Sequence, residues 1–565
     1  MFRKAKCLKH IYHLMSDYAV DALVVGSGAA GLVGALTVRS AGYDVLVVEK
    51  TDLVGGSSAM SGGGLWIPNN HVSREAGVED SFEAAWTYLT HVVPEAGEAT
   101  SPERLRAYLT HGPEMVKFLA DMGFRWRPAL GYPDYYPEAP GGSVKGRCIE
   151  GAVFDARKLG PWARKLRRYP GAPPIPIHTN EAWKMYLARS RIGIAAFLRL
   201  GARLLGHSLL GRRPLTMGGS LVGQLLYLCL KQGVRIWLES PLRELVVENG
   251  RVTGAVVNHE GRDVVVAARG GVLLTSGGFE HNQSMREKYL PNPTKTEWAV
   301  GSPGNTGDAI QAAVKIGAAT ALMNKAWGGP IAITPDGKPV FILAERSLPF
   351  GIIVDANGER FMNESASYVD CWRNIYEHHR ATPCIPSWLI IDQRHRSNYL
   401  FGTLMPGRTP EKATGPQYLV RAHSLEELAR KIGVDETGLL RTVKRFNEMA
   451  VKGVDEDFHR GESAYDRFYS DPRVKPNPNL GPLTKPPYYA TAIYPGELGT
   501  CGGLLTDEKA RVMHVDGHPI PGLYAAGNTT AAVFGGTYPG PGSTLGPACT
   551  FAYIAAKHII ETLRR

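Results

Sequence analysis

Hydrophobic and polar positions change their period several times along this chain. The stretch Val20-Asp-Ala-Leu-Val-Val25, apolar but for Asp21, reads as a buried strand that enters the turn Gly26-Ser-Gly28-Ala29-Ala30-Gly31. An Ala/Leu-rich helix follows, and Val45-Leu-Val-Val reads as a second buried strand ending in Glu49-Lys50. Helices are predicted near 81–92 and from Pro102 to about Met122, where Pro102 suits a first helical turn. Strand-like segments run from Val234 to Val266, with the hairpin signal Glu248-Asn249-Gly250-Arg251 between apolar runs. The run from Gly270 to Thr275 reads as another buried strand, closing on Gly277-Gly278. Asn305-Thr-Gly-Asp308 opens an alanine-rich helix to about Ala321, and two helices are predicted near 424–453. Ser424 and Glu427 form a capping box for the first, and Leu439, Val443, Phe446 and Ala450 give the second one apolar stripe, read as core. A last helix, about Thr544 to Leu563, starts just after Gly542 and points its N-terminal dipole into that loop.

The first of these units carries chemistry. In a βαβ unit Gly26 allows the tight turn, Gly28 lets backbone approach a pyrophosphate, and Gly31 brings helix close to strand. The helix N-terminus presents free N–H groups to the phosphates, and Glu49, eighteen residues after Gly31, can accept bonds from ribose hydroxyls. A dinucleotide site follows, with the identity of the dinucleotide open at this level. Soon after the acid, Gly55-Gly56-Ser57-Ser58 and Ser61-Gly62-Gly63-Gly64 offer many further backbone N–H groups to a large cofactor. The phenol-rich turn Gly131-Tyr132-Pro-Asp134-Tyr135-Tyr136-Pro137 reads as a shaped, exposed wall.

Length and charge add limits. With 565 residues the chain has room for two to four domains. Its seven cysteines are scattered and never spaced CxxC, which argues against a disulfide framework, an iron–sulfur cluster or a zinc site, so no metal is expected. His71, His259 and His395 lack ligand-like spacing and read as surface or loop residues. Residues 1–16 are basic without a continuous apolar core, a poor signal peptide read as an N-terminal arm or an upstream start. No stretch reaches the roughly eighteen uninterrupted apolar residues of a membrane span. The net charge of +11 is concentrated: residues 156–238 hold fifteen Lys/Arg and one acid, Glu181, so the rest is slightly acidic. Within that stretch, apolar and aromatic residues alternate with Arg189, Arg191, Arg199 and Arg203, a pattern suited to lying on an anionic bilayer. A solvated helical insertion is the plain alternative. Nucleic acid is not expected, because no binding motif accompanies the charge.

The sequence resembles the 3-ketosteroid Δ1-dehydrogenases, within the fumarate reductase/succinate dehydrogenase flavoprotein group, over nearly its whole length. The residues that carry this are the Gly26–Gly31 fingerprint, Glu49-Lys50, Gly55-Gly-Ser-Ser and Asn305-Thr-Gly-Asp308. Asn363-Glu-Ser-Ala-Ser-Tyr368, Gly522-Leu-Tyr-Ala-Ala-Gly527-Asn528 and Tyr538-Pro-Gly-Pro-Gly542 join them, the last being, with Pro133-Asp134-Tyr135-Tyr136, much narrower than the FAD motifs. The resemblance implies an α/β fold with a Rossmann-like FAD-binding domain in two pieces, 17–328 and 499–565. An α+β catalytic cap, 329–498, is inserted between them, and a basic apolar insertion occupies about 157–215.

It also implies roles. FAD is the cofactor, contacted by Gly26, Gly28, Ala29, Ala30, Gly31, Glu49, Lys50, Gly56, Ser57, Ser58, Gly62 and Gly63, then by Gly277, Gly278, Asp308, Gly527, Asn528, Gly542 and Leu545. Tyr368 matches the family's base and Tyr135 its hydrogen-bonded helper, while Tyr538 and Gly542 match the pair that holds the C3 oxygen. A phenol is mostly protonated at neutral pH, so such a base needs a neighbour that stabilises phenolate. Arg360 and Glu364 read as structural ion-pair partners. The implied reaction removes hydrogen from C1 and C2 of a 3-ketosteroid and passes electrons to an external acceptor, quinone-like or other. The long basic segment departs from the plainer family pattern. It suggests a membrane-seated entrance for sterones with an intact side chain, such as cholest-4-en-3-one, and a cytoplasmic enzyme at the inner face of the membrane. The rival readings are a Δ4-(5α)-dehydrogenase and a non-catalytic flavin- or sterol-binding membrane-surface protein.

Overall fold

The predicted βαβ unit is the centre of an eight-stranded sheet. The structure, a computed structural model, describes residues 16–94, 97–168 and 175–565; the expected basic arm therefore lies outside the described residues, apart from Ser16. Strand β1 (Tyr18–Val25) leads through the glycine turn into α1 (Ala29–Ser40), and β2 (Val45–Val48) pairs parallel to β1 with Val25 opposite Val48. Outward from β2 runs β3 (Arg235–Trp237), and on the other side β1 pairs parallel with β4 (Arg262–Leu274). Beyond β4 the chain returns from its far end as β5 (Pro519–Ala525), again parallel. The last helix, α2 (Leu545–Arg564), packs on α1, and Gly34 lets α1 lie close on β4: a Cβ there would sit 2.5 Å from Leu273 Cδ2. Parallel strands covered by helices explain the unbroken apolar runs.

The expected hairpin forms between Leu242–Glu248 and Arg251–His259, with Asn249 (φ 48°) and Gly250 (φ 77°) both left-handed, as a two-residue hairpin turn of this hand requires. The strand expected at 270–275 is the end of the longer β4. The helix expected to reach Ala321 stops at Val314. Gly317 there takes φ 92° and lies so close under His514 that no side chain fits, and Thr320–Ala321 is a strand.

A second, antiparallel sheet is built from Pro339–Phe341, Ala326–Ile333, Tyr488–Thr500, Ser387–Ile391 and Gly351–Val354, with Val420–Ala422 added on Tyr488–Thr500. The paired strands Ala326–Ile333 and Tyr488–Thr500 run through residues 328 and 498, where the two-piece division was expected. Helices Leu425–Ile432 and Glu436–Lys452 cover one face, and Ser424 Oγ caps the first. Leu439, Val443, Phe446 and Ala450 are all buried, so their stripe is core. Arg360 pairs with Glu364 and Asp455, and Arg460 joins them, in a buried ionic network inside this unit. His395 is not a surface residue: it is fully buried, its Nε2 2.9 Å from Glu345 O.

The basic segment folds into the short helix Ala182–Tyr186 and the helix Arg191–Leu209. Residues 169–174, within the expected insertion, lie outside the described residues. Arg191–Leu209 is long and apolar enough to cross a membrane by length and composition, with a mean hydropathy of 1.2. It is nevertheless sided. Gly193 and Leu200 pack inward and Arg203 pairs with Glu181 at 2.6 Å, while Ile194, Leu198, Leu205 and Leu209 stand exposed along the other side.

Candidate active site

The carboxyl ends of β1, β2 and β4 open onto a cavity of about 470 Å³ that reaches from Gly26 and Glu49 to three tyrosines. Gly26 is the pivot of its floor. Its φ of 105° lets N–H bond Val48 O at 2.8 Å, and any Cβ would sit 2.5 Å from Thr275 O. Lining residues from the expected set are Gly26, Gly28, Ala30, Glu49, Lys50, Gly56, Ser57, Ser58, Gly62, Gly63, Gly277, Asp308, Gly527, Asn528, Gly542 and Leu545. Ala29, Gly31 and Gly278 do not line it. Ala29 gives its N–H to Ser58 Oγ at 3.1 Å, Gly31 packs under Thr275 Oγ1, and Gly278 packs against Thr500.

Charge at the Glu49 end is already organised. Glu49 Oε2 accepts from Ser27 N and Oγ, and Oε1 from Thr51 N and Oγ1. A ribose hydroxyl there would compete with Ser27. Lys50 Nζ reaches across to Thr306 Oγ1 at 2.5 Å and Asp308 Oδ2 at 2.7 Å, joining the end of β2 to the 305–308 turn. α1 and α2 both begin at the cavity without a cap from their own N-cap side chains. Ser58 takes the N–H of Ala29 and Gly542 O that of Gly546, which leaves Ala30 and Leu545, both lining the cavity, to offer N–H groups to a ligand. Two helix starts, a glycine floor and a long cavity fit an elongated, phosphate-bearing cofactor such as FAD.

At the far end, three segments distant in sequence meet. Tyr135, Tyr368 and Tyr538 have ring centroids 5.3 Å (135–538), 5.3 Å (368–538) and 5.7 Å (135–368) apart, and each is 6% exposed. Tyr368 begins the helix Tyr368–His379, which lies on the strand Ala326–Ile333 because Gly328 and Gly329 leave room; a Cβ at 329 would be 3.0 Å from Tyr368 Cβ. Tyr135 stands in a loop that is buried, not the exposed wall its Pro and Gly content suggested. Asp134 anchors that loop by accepting from Trp66 Nε1 at 2.7 Å, Arg147 Nη1 at 2.8 Å and Ser143 N at 3.0 Å. Tyr135 N donates to Pro539 O at 2.9 Å, tying the loop to the 538–542 turn.

Tyr135 and Tyr368 meet edge to face, and the phenol that interacts with the Tyr368 hydroxyl is Tyr538. Burial pushes Tyr368 and Tyr135 well above the ordinary phenol range. Tyr538 is raised by burial too, but Thr544 opposes the rise, its hydroxyl donating to Tyr538 Oη at 3.2 Å. Gly542, at φ 98°, gives its carbonyl to Gly546 N at 2.9 Å, while its own N–H has no protein acceptor among the described residues. Tyr538 and Gly542 both line the cavity, and a phenol O–H with a backbone N–H are the kinds of donor that can stabilise an oxyanion.

Sequence reasoning missed the remaining aromatic wall: Trp183, Tyr186, Trp327, Phe341 and Tyr469 also line the cavity, with the aliphatic Leu343 beside them. Trp183 and Tyr186 carried a signal, since aromatic residues three apart on one helical face mark a packing side, here turned inward. The nearest approach to a metal-ligand set among the described residues is His514, Asp516 and His518, on a hairpin turn away from the cavity.

Fold and cavity define an FAD-binding flavoprotein. The family described as FAD binding domain matches residues 21–545, and the chain belongs to it, alongside its 3-oxosteroid 1-dehydrogenases. A 3-oxosteroid 1-dehydrogenase of Mycobacterium tuberculosis is 47% identical over 97% of this chain and 99% of its own. A solved 3-ketosteroid delta1-dehydrogenase from Sterolibacterium denitrificans, in complex with 1,4-androstadiene-3,17-dione, superposes with a TM-score of 0.91 at 40% identity, covering 97% of this chain and all of that one. A 4-oxocyclohexanecarboxylate 2-dehydrogenase of Sinomonas cyclohexanicum is 37% identical over 95% of this chain and 92% of its own. The chain is an FAD-dependent oxidoreductase.

Proposed function

We propose that this chain desaturates the C1–C2 bond of 3-ketosteroids, with Tyr368 as the base and Tyr538 and Gly542 as holders of the C3 oxygen. The observation that carries this reading is the meeting of three buried phenols from separate segments beside an unpaired N–H. Hydrogen bonds from Tyr538 Oη–H and Gly542 N–H to the C3 oxygen draw electron density from the ring and acidify C2–H. Tyr368 takes that proton, while Tyr135, packed on both other tyrosines, holds the geometry. FAD, when bound, supplies the acceptor for the hydride from C1. Gly26–Ala30 and the start of α1 would hold its diphosphate, and the start of α2 would face the flavin end, where its positive dipole favours negative charge. The cap, 329–498, then supplies the base, and the cofactor unit, 17–328 with 499–565, supplies Tyr135 and the pair that holds the C3 oxygen.

The decisive experiment is anaerobic mixing with a 3-ketosteroid. Bleaching of the flavin, with a product whose new double bond lies at C1–C2 by NMR, supports the reading. A C4–C5 product would make it a Δ4-(5α)-dehydrogenase, and no bleaching by any 3-ketosteroid would leave a flavin-binding protein without this activity. Reoxidation is assigned to an external acceptor, quinone-like or other.

Support for membrane seating comes from the exposed apolar side of Arg191–Leu209, flanked by Arg191 and Arg199. The same segment sends Trp183 and Tyr186 into the cavity. A sterone dissolved in the inner leaflet would enter beside this helix, which suits a long side chain of the cholest-4-en-3-one type.

A further inference from the structure

Behind the cavity wall lie three ionisable groups that the chemistry above does not use. Glu280, Arg286 and Glu497 are each 0% exposed. Arg286 pairs with Glu497 at 2.7 Å and gives another N–H to the backbone oxygen of Glu280 at 3.0 Å. The Glu280 carboxyl has no cation of its own. Its Oε1 accepts from Asn305 Nδ2 at 2.6 Å, and its Oε2 has no partner among the described residues. Two buried carboxyls therefore stand near one guanidinium, which pairs with only one of them. Ionising both would leave an uncompensated buried charge, which is the expensive state. Glu497 holds the cation, so Glu280 keeps the proton. Burial raises both acids, and pushes Glu280 up to about 7.

The other groups around Glu280 leave this balance alone. His281, next in the chain, has Nε2 3.1 Å from Gly301 O, and burial lowers its pKa, so it is neutral at pH 7. The strand Tyr488–Thr500 contributes Glu497 and the 300–307 loop contributes Asn305. Lys50 and Asp308 are satisfied by each other at 2.7 Å.

Glu280 nevertheless communicates with the cavity. Asn305 Nδ2 also donates to Ser57 Oγ at 3.0 Å, and Ser302 N donates to the same oxygen at 2.8 Å. Ser57, Ser302 and Asn305 line the cavity. Gly301, which also lines the cavity, lies directly against the acid, since a Cβ there would strike Glu280 Oε1, and on its other side Glu280 Oε2 packs under Gly278.

We propose that Glu280 is a proton-linked positioning residue for the cofactor: its carboxyl is neutral when the FAD diphosphate is seated, so FAD binding on the alkaline side of neutrality takes up a proton. The inference rests on the placement of the diphosphate at the Gly26–Ala30 turn given above. Below about pH 7 the acid is already protonated and binding is proton-neutral. As pH rises through that point the free protein loses the proton, and FAD must bring it back against an increasingly unfavourable gradient. The dissociation constant then climbs by up to about tenfold per pH unit.

Release of fluorescent FAD from diluted holoenzyme gives that constant between about pH 6 and about pH 9. Wild type is expected to be flat at the acid end and to rise above about pH 7, and Glu280→Gln, permanently neutral, to be flat throughout. Calorimetry of FAD rebinding in two buffers of different ionisation enthalpy is expected to show close to one proton taken up near pH 8 by the wild-type chain, a result that does not depend on the variant folding. A pH-independent constant in wild type, the same rise in the Gln variant, or no proton uptake overturns the proposal. Failure to retain FAD at any pH would overturn the cofactor placement itself, which is a separate result.

Discussion

Tyr135 and Tyr538 stack at 5.3 Å and 26°, and Tyr135 N donates to Pro539 O at 2.9 Å. One ring contact and one backbone bond thus close the site between the first third of the chain and its end. Tyr368 arrives from a third segment and touches both. In this arrangement the proposed base is the tyrosine whose removal leaves the loop-to-loop tie intact. Tyr368→Phe is expected to slow steroid-driven flavin reduction by about 10²–10⁴-fold, the range for losing a general base. The flavin absorbance spectrum should stay in place. Stopped-flow anaerobic reduction measures it, and near-normal reduction by the variant removes Tyr368 as base.

The pH dependence has a definite sign. Burial raises the Tyr368 phenol well above its ordinary value, so the ionised base is the minor form across the neutral range. Each unit of pH increases that minor form about tenfold until the pKa is reached. The rate of flavin reduction at saturating steroid should therefore climb with pH through the neutral and mildly alkaline range. A pH-independent rate would show that proton abstraction by a phenolate does not limit reduction.

Gly542 tests the oxyanion pair. At φ 98°, a side chain is strained, and a Cβ would lie 2.7 Å from Leu65 Cα. Gly542→Ala is expected to cost about 1–3 kcal/mol of stability from the backbone strain alone. Moving its N–H away from the C3 oxygen should also slow reduction by about 10²–10³-fold, the usual effect of losing one oxyanion donor. Thermal melting and flavin reduction on the same sample separate the two effects.

Much of the cofactor end was legible because its determinants are local. Gly26, Gly28 and Gly31 fix a turn and a helix start within a few residues, and Glu49 follows on the next strand. The hairpin at Asn249-Gly250 is local in the same way. Errors came where partners lie far away. The Tyr135 loop is buried because Trp66, Arg147 and Pro539 cover it, none of which its own Pro and Gly content reveals. His395 is buried through Glu345, and the helix after Asp308 ends early because His514 leaves no room at Gly317. Trp183 and Tyr186 were hidden inside a charge pattern that pointed to lipid, although their side chains line the cavity.

Gly329 shows how a distant residue sets the base. Its missing side chain lets Tyr368 Cβ approach, and a Cβ there would meet both Tyr368 at 3.0 Å and the ring of Phe341. Gly329→Ala must push the start of Tyr368–His379 outward by a few tenths of an ångström. Small displacements of a positioned group are costly in rate. The expected outcome is a fall in kcat of about tenfold or more with FAD content unchanged. Unaltered kcat would mean that Phe341 yields and Tyr368 stays.

The exposed side of Arg191–Leu209 carries the last prediction. Ile194, Leu198, Leu205 and Leu209 are 51%, 70%, 61% and 78% exposed, a contiguous apolar strip that water does not favour. The opposite side is held to the protein by Leu200 and by the Arg203–Glu181 pair, so substitutions on the strip leave the fold alone. Leu198→Asp with Leu205→Asp places two negative charges where the lipid surface is also negative. Co-sedimentation with anionic vesicles is expected to drop about tenfold or more. Turnover of a soluble short-chain 3-ketosteroid should stay within about twofold, because neither residue lines the cavity. Turnover of a long-chain sterone supplied in those vesicles should fall with binding. Unchanged sedimentation by the double variant would show that this helix is not what meets the membrane.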